Sequence, residues 1–112
     1  MNNKQIKELA LDLTVELTDV CDGITNRNVF VNQILKSCSS IGANASEANY
    51  AQSKADFINK LEISLKECYE TEYWIEVLFK TGALTEDQYN YFKNKCGIIR
   101  RKLISAIKNT KN

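Results

Sequence analysis

Apolar residues recur along this chain at spacings of three and four, and the rhythm breaks three times. Ile6, Leu9, Leu13, Leu17 and Val20 make the first stripe, the spacing that lines up side chains on one face of a helix. Asp22-Gly23 stops that helix, and Asn26 or Asn28 stands where a second helix needs a cap. The second stripe is Val31, Ile34, Leu35, Cys38, Ile41 and Ala45, ending near Ala48-Asn49. Ser53 with Asp56 three residues on is a variant capping box that opens a third helix. Its stripe runs Phe57, Ile58, Leu61, Leu65, Cys68, Glu72, Ile75 and Phe79, with Gly82 as the left-handed residue that ends it. Some 27 residues at the helical rise span roughly 40 Å. Thr85 and Gln88 form a second capping box ahead of Tyr89, Phe92, Cys96, Ile99, Leu103 and Ile107. Short connections between long amphipathic helices force neighbours to run antiparallel, so the pattern predicts an all-α, up-down-up-down four-helix bundle.

Composition agrees with one helical domain covering residues 1–112. Proline is absent and there are four glycines, and a chain of this length can bury roughly two-thirds of its unfolded surface without staples. The N-terminal segment, Met1 to Glu8, carries charge where a secretion signal needs an apolar run, and no window is long enough for a membrane span. A cytoplasmic protein with no membrane contact is therefore expected. Its four cysteines then stay reduced, and with no Cys-x-x-Cys pair and no histidine they match no zinc pattern.

Ser40-Ile41-x-x-Asn44-x-x-Glu47 and Ser53-Lys54-x-Asp56-Phe57, followed by Leu61, Leu65, Glu70 and Glu72, change the picture. These tracts resemble the signature of the four-helix bundle proteins encoded in intervening sequences of bacterial 23S ribosomal RNA genes, relatives of the accessory variability-determinant proteins of diversity-generating retroelements. The resemblance runs over nearly the whole chain and speaks to architecture more than biochemistry, because that family has no agreed molecular activity. It implies a ring, usually a homopentamer, and as partners a nucleic acid or a reverse transcriptase. One departure matters: Leu35-Lys36 stands where related sequences often carry paired basic residues.

Charge is balanced overall but segregated. Residues 62–87 hold seven acidic and two basic side chains, while residues 88–112 hold seven basic and no acidic ones. On the fourth helix Lys93, Arg100, Arg101, Lys108 and Lys111 fall within about 100° of arc. They form either a phosphate track or a face that pairs with the acidic third helix.

Glu72 falls on the core side of helix three, where an unpaired carboxylate costs several kcal/mol. It therefore needs a partner, either a basic side chain or the polar line Ser37, Ser40, Asn44 and Glu47 on helix two, and a structural network of Ser40, Asn44, Glu47 and Glu72 that sets helix register is expected. Ile63, Tyr73, Trp74 and Val77 lie away from the helix-three stripe, and apolar residues clustered with a tryptophan point to an oligomer contact. Cys38, Cys68 and Cys96 sit mid-helix and can share a layer; packing as small hydrophobes outweighs a soft-metal site. Without histidine, a base-activated nucleophile, a glycine-rich phosphate loop or a metal or cofactor motif, no enzymatic chemistry or small-molecule substrate is evident.

Overall fold

The computed structural model describes residues 4–112 as four helices: α1 Lys4–Asp22, α2 Asn28–Ala48, α3 Lys54–Lys80 and α4 Glu86–Lys111. The first three residues of the charged N-terminal segment lie outside the described residues. Successive helices pack against each other and α1 closes on α4, while no diagonal pair brings Cα atoms within 8 Å among the described residues. The up-down-up-down bundle is 44 Å long and about 20 Å across.

Each helix buries a line of residues at alternating four- and three-residue steps. These are Ile6, Ala10, Leu13 and Leu17 on α1, then Ile34, Cys38, Ile41, Ala45 and Ala48 on α2. On α3 they are Phe57, Leu61, Ser64, Cys68, Thr71, Ile75 and Leu78, and on α4 Phe92, Cys96, Ile99 and Leu103. Such a repeat keeps one seam toward the neighbours along the helix length. On α3 the buried line differs from the expected stripe by about 50° at 100° per residue. Leu65 and Phe79 are only partly buried, and Ser64 and Thr71 take the centre.

The helix ends follow local chemistry. Ser53 Oγ accepts the Asp56 N–H, and the Thr85–Gln88 box is reciprocal. Gly82 has φ +82, and the Ala83 N–H closes back on Leu78 O at 2.8 Å. The start of α2 corrects the asparagine expectation: Asn28 is the first helical residue, Asn26 sits in the left-handed turn at φ 61, and neither caps. Arg27 occupies the cap position without a side-chain bond to the helix. Its guanidinium instead donates to Thr81 O at 2.9 Å and Asn26 O at 2.8 Å, tying the first turn to the end of α3.

Candidate interaction surfaces

The two flanks of α3 are built from different side chains. Toward α2, small hydroxyls let the helices close together. Ser64 donates to Ile41 O at 2.8 Å, and the Thr71 hydroxyl lies 2.9 Å from both Ser37 Oγ and Glu67 O. Ser37 in turn donates to Ile34 O at 3.1 Å. These hydroxyls are buried with their hydrogen bonds made, which removes the penalty for placing them in a core.

Toward α4 the flank is long and charged. Glu72 is 9% exposed and accepts from Arg100 Nε at 3.0 Å, with Lys93 Nζ at 3.8 Å. The Glu72 carboxylate, by hydrogen bond and charge, holds the Arg100 guanidinium above its ordinary pKa. The network expected between Glu72 and α2 does not form among the described residues. Ser40 and Asn44 bond within their own helix, Asn44 Nδ2 donating to Ser40 O at 2.8 Å, and Glu47 meets Lys60 at 3.2 Å on the surface. That difference in the face α3 buries is the reason: it turns Glu72 toward α4 and leaves Thr71 facing Ser37.

The basic stripe on α4 divides the same way. Lys93 pairs with Glu72 and Glu76, Arg100 with Glu72, and Lys111 approaches Glu62 at 4.0 Å. Arg101 and Lys108 have no acidic partner among the described residues. Both arginine side chains fold over Gly97, whose absent Cβ would meet Arg101 Nη1 at 3.2 Å and Arg100 Nη2 at 3.5 Å.

Of the four residues expected at an oligomer contact, Ile63 and Tyr73 are exposed and Val77 is partly so. Trp74 is committed within the chain: its ring stacks on Phe30 of α2 at 5.9 Å and meets the Tyr73 edge at 4.9 Å. Its indole N–H is buried with no acceptor among the described residues. The second apolar surface is a groove of about 600 Å³ between α3 and α4, near the end of α4. Leu65, Tyr69, Ile104 and Ile107 line it, rimmed by Glu62, Lys66, Lys108 and Lys111. Tyr69 and Ile104 stay about half exposed there, at 53% and 42%. The sequence signal for it was present, because Tyr69 follows Glu62 and Lys66, and Ile104 precedes Lys108 and Lys111, at helical spacing, but it appears only once α3 and α4 are set side by side.

α1 closes against α4 with polar groups that the sequence did not mark. Lys95 Nζ lies 2.8 Å from Glu16, Tyr91 donates to the same carboxylate, and Lys102 reaches Gln5 at 3.4 Å. Burial pushes the Glu16 carboxyl up, but its hydrogen bonds from Lys95 and Tyr91 prevail and hold it below the ordinary value.

Cys68 and Cys96 meet between α3 and α4, with Cys68 Sγ 3.5 Å from Cys96 O. Burial pushes the Cys21 and Cys38 thiols up to about 11, and hydrogen bonding to Cys68, ahead of burial, pushes Cys96 up as well. Protonated, buried thiols are poor nucleophiles and poor metal ligands. No cluster of three or more metal-ligating side chains occurs among the described residues, and no described helix is long and apolar enough to cross a membrane.

Comparison with known proteins agrees with this architecture. A crystal structure of a protein of unknown function from the S23 ribosomal protein family of Bacteroides thetaiotaomicron VPI-5482 superimposes with a TM-score of 0.87. It is 45% identical, over 92% of this chain and 98% of that one. No curated protein matches, and neither finding names an enzymatic activity. The profile of the 23S rRNA-intervening sequence proteins matches residues 2–105, and with a bundle of the same fold beneath that match, the chain belongs to this family.

Proposed function

We propose that the protein is a non-catalytic, self-assembling scaffold, a ring of identical four-helix bundles that holds a partner at its surface. The observation that carries this reading is the apolar surface left outside a complete core. Leu11, Val15, Ile63, Tyr69, Tyr73 and Ile104 are all exposed on helices whose own buried lines are already filled. Single exposed hydrophobes are ordinary, but Tyr69 and Ile104 flank a groove and Leu11 and Val15 stand one turn apart on α1, and grouped ones of this kind mark a protein contact. The absence of a catalytic constellation in the sequence and the burial of all four thiols point away from chemistry as the role.

Light scattering on the purified protein tests the reading. A scaffold has a solution mass several times 12.8 kDa, and a monomer mass across a wide concentration range overturns it. The homopentamer implied by the family resemblance is the specific stoichiometry proposed.

A second reading, an accessory subunit that binds nucleic acid beside a reverse transcriptase or in a ribosomal RNA-associated element, is favoured by Arg101 and Lys108, the two stripe cations with no acidic partner among the described residues. Binding of that kind is independent of base sequence and falls steeply with salt, as each neutralised phosphate releases counterions. Arg101→Glu with Lys108→Glu abolishes it if the reading holds. Binding that is absent at low salt removes it.

A further inference from the structure

Two surfaces of this chain carry exposed apolar side chains and are opposite in charge. The first is the α3–α4 groove, apolar along its floor and carrying Lys66, Lys108 and Lys111 against the single acid Glu62 on its rim. Lys66 and Lys108 have no salt bridge among the described residues, and Arg101 lies about two turns from Lys108 on the same face of α4. The second is the outer face of α1. Leu11 and Val15, one turn apart, stand 57% and 53% exposed. Glu8, Asp12, Asp19 and Asp22 surround them on the solvent side, all exposed and none in a salt bridge among the described residues. Lys7, at the α2 edge, is the basic exception among the described side chains of this face.

We propose that the acidic apolar ridge of α1 from one copy of this chain seats in the basic-rimmed α3–α4 groove of the next. The inference rests on the self-assembly reading and specifies its contact. Charge decides the pairing. A two-fold contact of groove with groove sets Lys66, Lys108 and Lys111 against themselves, and ridge with ridge sets four carboxylates against four. Like charges opposed across an interface are strongly unfavourable, whereas ridge into groove matches opposite signs and covers Leu11 and Val15 with Leu65, Tyr69 and Ile104. Because the two patches are different surfaces of one chain, the contact is head-to-tail, which closes into a ring when the rotation between neighbours allows and otherwise runs on as a filament. The same geometry explains why α3 leaves Tyr69 and Ile104 uncovered while its other flank is sealed.

Charge reversal tests this. The groove variant Lys66→Glu/Lys108→Glu and the ridge variant Asp12→Lys/Asp19→Lys change exposed positions, and circular dichroism verifies that helicity is kept. Each variant alone should weaken assembly by at least about tenfold. The chain carrying all four substitutions should assemble again, since its reversed ridge faces its reversed groove, and an equimolar mixture of the two variants should form mixed assemblies. Wild-type assembly that is indifferent to either reversal overturns the ridge-in-groove contact and leaves self-assembly standing. Loss in both variants without recovery in the combined chain overturns the pairing as well. A wild-type monomer defeats the scaffold reading itself, and a groove that binds a polyanion or a small apolar ligand while the chain remains monomeric assigns it to that occupant instead.

Discussion

The two flanks of α3 show how one helix can finish a core on one side and leave a surface unfinished on the other. Against α2, Ser64 and Thr71 are short enough for the helices to close, and their hydroxyls bond to Ile41 O, Ser37 and Glu67 O. Against α4, Glu72 pairs with Arg100, while Leu65 and Tyr69 face Ile104 and Ile107 across a groove of about 600 Å³. Small polar residues thus make the tight seam, and large residues make the open one. A polar residue in a helix stripe is no mark of an exterior when a neighbouring carbonyl is within its reach.

Adjacent residues break the comparison most sharply. Ser64→Leu forces three extra carbons into the sealed seam and removes the bond to Ile41 O, so it should lower the unfolding free energy by about 3 kcal/mol. Leu65→Ala, one position away on the groove side, should lower it by about 1 kcal/mol, because the side chain is only partly buried. Urea denaturation of the pair measures both, and equal losses would mean that the two flanks are packed alike.

Glu72 joins the flanks to the charge pattern. Removing it by Glu72→Ala leaves Arg100 and Lys93 facing a partly buried space, and the loss should be about 2 kcal/mol, reduced from that of a fully buried pair because the cations are 29% and 30% exposed. Glu62→Ala, whose contact with Lys111 is exposed and 4.0 Å long, should change stability by less than about 0.5 kcal/mol. Equal losses in the two would place Glu72 at the surface.

Trp74 tests the sealed flank from its far end. Trp74→Phe keeps an aromatic ring for Phe30 and removes a buried donor without an acceptor. Stability should stay within about 1 kcal/mol of wild type, and assembly should be unchanged. If that substitution disperses the assembly instead, the indole belongs to the contact between chains.

The smallest expected effect lies at the closure of α1 on α4. Glu16 has a folded pKa below its ordinary value, so its contribution to stability is present above the unfolded carboxylate pKa of about 4.3 and is lost as pH falls through the folded value. Glu16→Gln should therefore lower the thermal midpoint near neutral pH, and the difference from wild type should vanish on acidification. A difference that persists in strong acid would assign the effect to packing.

The architecture was legible because spacing alone sets a helix face: the four elements, the Ser53 and Thr85 caps and the Gly82 stop all follow from local chemistry. The α3 register was not, because an apolar stripe through Leu65 and Phe79 looks better than one through Ser64 and Thr71 until the acceptors on α2 and on α3 itself are known. Glu72 was legible as a carboxylate in need of a partner, but which helix supplied it depended on that same rotation. Asn26 and Asn28 both have capping chemistry, yet the left-handed turn used one and the helix absorbed the other. The groove needs two helices at once, and no single stretch of sequence shows it.

The contact between copies is the claim that carries the functional account, and engineered thiols probe it most directly, since Cys21, Cys38, Cys68 and Cys96 are all buried. Val15→Cys and Ile104→Cys place one thiol on the ridge and one at the groove. Treated with a short bifunctional maleimide at low protein concentration, a mixture of the two single variants should give a cross-linked dimer that neither variant forms alone, and the chain bearing both should give a ladder in steps of 12.8 kDa. Cross-linking of Val15→Cys to itself, or none in the mixture while the protein remains assembled, would contradict the seating of α1 in the groove between α3 and α4.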